Sequence, residues 1–202
     1  MLDTTPTDTR SPSLSDRPTA ETFPLPEEDD LWVFGYGSLM WRPEFDFLEQ
    51  RHAQLYGLHR RFCILSHRYR GTEENPGLVL GLAPGGSCHG VVFRIARARA
   101  REILIPLWDR EMVTGVYRPG YRRVKAGAGW VSACCFVADP KHHQFCGNLD
   151  FEAEAKAIVA ASGSMGPNAD YLFNTIEHLA EIGIHDRALS RLGRRVRELS
   201  KD

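Results

Sequence analysis

Three features of this chain predict an α+β fold. Short strand-like runs are broken by glycine and proline, one helical pattern sits among them, and three more helical patterns follow the last strand. Alternating βαβ units would put a helix after each strand, and this order does not. Residues 1–30 are rich in Thr, Ser, Pro and Asp and poor in apolar side chains, so they are expected to form a disordered tail before a domain at 31–200. The first strand begins at Leu31 and runs through Val33 and Phe34 into Gly35. Further strand-like runs lie at 53–57, 61–66, 78–83, 88–95, 121–125 and 130–138. Together they read as a mixed or barrel-like sheet. Helical periodicity marks 98–112, 149–161, 168–182 and 186–199. Asp150 and Asn168 are candidate N-caps, and Gly163 and Gly183 are candidate stops.

Composition narrows the function. A formal net charge of −1 over 202 residues gives no bulk field for nucleic acid or an anionic membrane, and no apolar run is long enough to span a bilayer. The polar, acidic beginning is not the pattern of a secretory signal. The cysteines, Cys63, Cys88, Cys134, Cys135 and Cys146, are odd in number and lack C-x-x-C spacing, so a reduced cytoplasmic protein is the simplest reading. Cys134 and Cys135 are adjacent on a strand and are expected to face opposite sides. His142, His143 and Cys146 lack a second matching pair and read as a surface loop. Arg187, Arg191, Arg194, Arg195 and Arg197 are interspersed with Asp186 and Glu198, which reads as a solvated helix face.

The most informative stretch is Leu31-Trp-Val-Phe-Gly-Tyr-Gly-Ser-Leu-Met-Trp41, a buried strand running into a glycine-flanked turn. Gly35 and Gly37 permit a sharp turn or close backbone approach, and bare N–H groups there can form a concave site for a carboxylate or phosphate. A plain strand-ending turn is the alternative. The dinucleotide fingerprint is excluded by the missing third glycine and by Pro43, and no phosphate-binding loop or His-Glu-x-x-His motif occurs. Ser38 lacks the Gly-x-Ser-x-Gly elbow and reads as a ligand-binding hydroxyl.

Glu111 is the second informative position. Leu104, Leu107 and Trp108 recur at helical spacing, and continuing that spacing lands on Glu111, whereas Glu102 falls on the opposite face. Pro106 interrupts the pattern and argues for an early kink. A carboxylate on an apolar stripe is a candidate general base, and an ion pair with Arg110 or Arg118 is the alternative. Tyr117, in a rigid turn with Gly115, Pro119 and Gly120, either donates a hydrogen bond or packs.

These residues resemble the ChaC-like γ-glutamylcyclotransferases. The likeness is carried by Val33-Phe-Gly-Tyr-Gly-Ser-Leu-Met-Trp41, Gly57-Leu-His-Arg-Arg-Phe62, Asn75-Pro-Gly77 and Ser87-Cys-His-Gly-Val-Val92. Trp108-Asp-Arg-Glu-Met-Val-Thr-Gly-Val-Tyr117, Gly163-Ser-Met-Gly-Pro-Asn168 and Asp170-Tyr-Leu172 complete it. The resemblance implies a small mixed or antiparallel β-barrel flanked by helices, cutting glutathione into 5-oxoproline and cysteinylglycine without metal or cofactor. It implies a γ-glutamyl pocket of Val33, Phe34, Gly35, Tyr36, Gly37 and Ser38, with Leu39 and Tyr117 taken beside it as substrate-binding candidates, and Glu111 as the acid/base. The residues leave two alternatives open: a cyclotransferase for other γ-glutamyl amino acids or amines, and a non-catalytic γ-glutamyl-binding module. The expected partner is a small molecule, not nucleic acid or membrane; the oligomeric state is left open.

Overall fold

The computed structural model describes residues 17–201. Its centre is a closed barrel in the order β1-β3-β2-β4-β5. The strands are β1 (Leu31–Gly35), β2 (Glu49–Ser66), β3 (Gly77–Ile95), β4 (Tyr117–Ala126) and β5 (Gly129–Ala138). Neighbours are antiparallel except where β1 meets β5: there Trp32 pairs with Ala133 and Val33 with Cys134 in parallel, which closes the ring. Closure removes the unpaired edges that an open sheet would present.

Two pairs of expected strands are two long ones. The runs 53–57 and 61–66 both belong to β2, and 78–83 and 88–95 both belong to β3. Gly57 (φ 82°), Gly85 (φ 97°) and Gly86 (φ 66°) lie where the register shifts between Tyr56 and Leu58 or close to it. Glycine here bends the ladder instead of ending it, as at a β-bulge.

The helices are α1 (Ala100–Glu111), α2 (Phe151–Ala160), α3 (Asn168–Glu181) and α4 (Arg187–Leu199), with a short hairpin of β6 (Ser162–Gly163) and β7 (Gly166–Pro167) before α3. One core cluster joins Phe34, Leu55, Phe62 and Cys135 to Ile158, Leu172 and Val196 of α2–α4. A second joins Leu31, Val33, Cys134 and Phe136 to Leu104, Leu107 and Trp108 of α1. Alternation along β1 and β5 thus serves two cores, and Cys134 and Cys135 face opposite sides.

Local signals held unevenly. Asp150 caps α2 by accepting from the Ala153 N–H at 2.8 Å. Gly183 (φ 73°) ends α3, with the Ile184 N–H bonded to the Leu179 carbonyl and the Gly183 N–H to that of Ala180. Asn168 is not a cap. Its fully buried amide accepts from the Leu78 N–H at 2.6 Å and donates to the Leu78 carbonyl at 2.7 Å, acting as a surrogate strand for β3. Gly163 does not stop α2, which ends three residues earlier at Ala160; it lies in the hairpin, where a Cβ would meet Tyr69 backbone at 2.6 Å. The stretch around His142 and His143 is bound to β2 by Leu65 N–H to the Gln144 carbonyl and Cys146 N–H to the Cys63 carbonyl.

The expected tail needs its boundary redrawn. Residues 1–16 lie outside the described residues, but from Arg17 on the chain is laid against the domain, with Ala20 and Phe23 buried. Phe23 sits between Trp108 and Tyr121, tilted to the first and stacked on the second, its ring centroid 5.2 Å from each. One aromatic anchor outweighs the polar composition around it, because a side chain of that size contributes on the order of 2 kcal/mol when buried. Among the described residues no helix is long and apolar enough to cross a membrane.

Candidate active site

The apolar stripe of α1 places Leu104, Leu107 and Trp108 in the core, and the helix continues through Pro106 to end at Glu111. The Glu111 side chain is 17% exposed, whereas Glu102 points to water and pairs with Arg99. Burial raises the Glu111 pKa, and the Arg110 guanidinium, 3.5 Å away, opposes the rise. The carboxylate is thus desolvated and has an arginine neighbour at once. Arg118 pairs elsewhere, with Asp139.

Around this carboxylate stand Tyr36, Tyr117 and Tyr171, each with a pKa raised first by burial and further by the Glu111 charge. Tyr171 is pushed up to about 12. All of these phenols keep their protons at neutral pH and are hydrogen-bond donors. Tyr36 donates to the Phe136 carbonyl at 3.0 Å, and Tyr117 to the Leu80 carbonyl at 2.7 Å. The two readings of Tyr117 thus merge, since it donates and is packed at once.

The loop after β1 is shaped by close contacts. A Cβ on Gly35 would meet Leu39, Phe93 and Met40 at 3.2 to 3.4 Å, and one on the facing Gly90 would meet the Gly35 carbonyl at 2.3 Å. Gly37 is less constrained: its φ is −134°, and a Cβ there would touch Leu80 at an ordinary 3.4 Å. A short 3-10 turn, Ser38–Met40, follows. Arg110 donates to the Ser38 Oγ and to the Arg42 carbonyl, each at 2.8 Å, so the residue before the acid also holds the loop.

The structure therefore gathers Glu111, Tyr36, Tyr117 and, through Arg110, Ser38, with Gly35 and Gly37 in the connecting backbone. Val33, Phe34 and Leu39 lie with their side chains in the two cores, so they shape the loop from beneath. Val116, ahead of Tyr117, is buried with Cys63, Ile64, Ala83 and Ala138.

Two residues were absent from the sequence-derived site. Tyr171 comes from α3, and its only signal was its place in the Asp170-Tyr-Leu172 match. Arg60 is 4% exposed and donates to the Tyr36 carbonyl, to the His89 carbonyl at 2.6 Å and to Asp186 Oδ2 at 2.9 Å. The pair Arg60-Arg61 on an alternating strand was a legible signal, since strand alternation turns one of two adjacent side chains inward. Among the described residues, no group of three or more His, Cys, Asp or Glu side chains is placed to hold a metal ion.

A small closed barrel with a helical cap, carrying a half-buried carboxylate beside a glycine-shaped loop, defines a class of site suited to proton transfer on a small polar ligand. The ChaC-like protein family model matches residues 31–199, and the chain belongs to that family. It is 39% identical over 168 residues to the glutathione-specific gamma-glutamylcyclotransferase of Escherichia coli K12, covering 83% of this chain and 73% of that one. It is 32% identical over 181 residues to the human glutathione-specific gamma-glutamylcyclotransferase 1, covering 86% and 82%. The fold matches the crystal structure of the yeast gamma-glutamylcyclotransferase specific to glutathione with a TM-score of 0.76 at 23% identity, covering 85% of this chain and 97% of that one.

Proposed function

We propose that this protein is a γ-glutamylcyclotransferase that converts glutathione to 5-oxoproline and cysteinylglycine, with Glu111 as the acid/base. The observation that carries the reading is the desolvated Glu111 carboxylate, next to Arg110, whose guanidinium also holds Ser38 of the loop after β1. The similarity to enzymes named for this activity supports glutathione as the substrate.

A γ-glutamyl group carries its own nucleophile. Its α-amine closes a five-membered ring on the γ-carbonyl carbon, forming one C–N bond while the C–N bond to cysteine breaks. The ammonium starts with three hydrogens and the lactam nitrogen keeps one, so two protons pass to the departing nitrogen, with Glu111 as the shuttle. A carboxylate with a raised pKa is suited to both accepting and returning a proton near neutrality. The hydroxyl hydrogens of Tyr36 and Tyr117 go to the Phe136 and Leu80 carbonyls, so these phenols fix the wall of the site, and the 35–38 backbone holds the glutamyl end.

The occupant is proposed to be a small-molecule peptide, not nucleic acid or membrane. The α4 arginines support this: Arg195 pairs with Glu152 and Glu198, Arg191 lies 4.3 Å over Phe151 and Arg197 4.5 Å over Phe173. The cysteines, all free and buried, support a reducing, cytoplasmic setting.

The test is product identity. Native glutathione is expected to give 5-oxoproline, and glutathione acetylated on the glutamyl amine to give no cleavage while still competing for the site. Free glutamate as the first product would sink the reading. Turnover of γ-glutamyl-alanine in preference to glutathione would move the substrate assignment to other γ-glutamyl compounds, and binding without turnover would leave a binding module.

A further inference from the structure

We propose that Arg17 is a positioning residue for the acid–base centre, holding from outside the barrel the turn that joins Glu111 to Tyr117. The proposal rests on the cyclotransferase reading above and concerns a segment that precedes the stretch matched to the family, which begins at residue 31.

Arg17 is only 12% exposed at its side chain. One arm of its guanidinium donates to the Gly115 carbonyl and to the Tyr117 carbonyl, the latter at 3.3 Å. The other reaches Asp139 Oδ2 at 2.5 Å. Asp139 is itself buried, with its side chain 3% exposed, and its own N–H donates to the Val116 carbonyl at 2.8 Å. Three consecutive carbonyls, those of Gly115, Val116 and Tyr117, are therefore tied directly or through Asp139 to one cluster. Gly115 sits at φ 68° and its N–H returns to the Met112 carbonyl, so the turn has few internal bonds of its own.

The rest of the segment grips the elements on either side of that turn. Phe23 packs on Trp108, less than one helical turn before Glu111, and on Tyr121 of β4. Arg101 of α1 donates to the Ala20 carbonyl and, at 3.0 Å, to that of Phe23; Tyr121 donates to the Pro24 carbonyl at 2.8 Å. The segment thus spans α1, the turn and β4, the three pieces of chain that set the distance from the Glu111 carboxylate to the Tyr117 hydroxyl. A planar guanidinium serves two carbonyls and a carboxylate in one fork, which a lysine ammonium reproduces only in part. Small displacements of catalytic groups are expensive in rate, on the order of 100-fold for about 1 Å.

The experiment compares full-length wild type, Arg17→Ala and Arg17→Lys well below their melting temperatures. It measures kcat and KM for glutathione and amide hydrogen exchange over residues 112–118. Arg17→Ala is expected to lower kcat about tenfold with KM within about twofold, and to speed exchange in that segment; Arg17→Lys is expected to recover part of both. Faster exchange with unchanged kcat would make the segment a structural strap only and overturn the proposal, as would unchanged exchange. If Arg17→Ala melts below the assay temperature, Arg17→Lys carries the same comparison. Failure of the cyclotransferase reading itself is distinguishable, because it shows in the wild type as glutathione that yields no 5-oxoproline.

Discussion

Glu111 and Glu154 are both carboxylates whose pKa burial pushes up, and each has an arginine within 3.5 Å. Their surroundings make them different groups. Glu154, on α2, has a side chain 8% exposed and accepts from Arg61, which also donates to the Gly147 carbonyl at 2.7 Å and to that of Leu149. That cluster is internally satisfied and stitches α2 to β2. Glu111 has Arg110 nearby, but the hydrogen bonds of Arg110 go to Ser38, the Arg42 carbonyl and Glu44. The groups that feel the Glu111 charge are phenols. A raised carboxylate pKa marks a site only when its neighbours are not already arranged to neutralise it.

The sharpest way to break this comparison is to make both carboxylates neutral. Glu111→Gln is expected to stay folded and to lose turnover by roughly 100-fold or more, the scale of general acid–base catalysis. Glu154→Gln is expected to keep turnover within about threefold and to be no less stable than wild type at neutral pH, because burial raises its folded pKa despite Arg61. Steady-state kinetics with thermal melts of both variants decides it; equal kinetic losses would erase the distinction drawn here.

The loop beside Glu111 offers a second contrast. Gly35→Ala forces a Cβ against Leu39 and Phe93 at 3.2 and 3.3 Å, and overpacking of this kind costs about 1–3 kcal/mol. Gly37→Ala meets one side-chain methyl at 3.4 Å and is expected to change stability by less than about 1 kcal/mol. Denaturant unfolding and calorimetric titration are expected to rank Gly35→Ala as the more damaging in both stability and affinity. The reverse ranking would mean that substrate approach to Gly37, not packing under Gly35, governs the loop.

The smallest effect is the dependence of stability on pH. A carboxylate whose folded pKa is raised contributes stability that is present below its unfolded pKa and is lost as pH rises through the higher folded value. Glu111→Gln, which cannot ionise, is therefore expected to melt above wild type at neutral pH and to match it near pH 4. The same raised pKa places the acid limb of kcat/KM above the ordinary glutamate range, with activity falling as pH drops through it. Identical melting of the two proteins at both pH values would remove burial as the cause of the shift.

Strand alternation, helical phase and glycine punctuation were enough to read the barrel-like sheet, the four helical segments, the facing of Cys134 and Cys135, and Glu111 on the inward stripe of α1. Those signals are local, set by backbone periodicities of two and 3.6 residues. They could not say that Gly57, Gly85 and Gly86 bend continuous strands instead of ending them, because a bulge and a turn use the same residue. Nor could they bring Tyr171 from α3 to Glu111, aim Arg60 at the Tyr36 carbonyl, or seat Phe23 between Trp108 and Tyr121. Each joins residues far apart in the chain. Such contacts form only once closure of β1 onto β5 and the packing of α1 and α3 have fixed which faces meet.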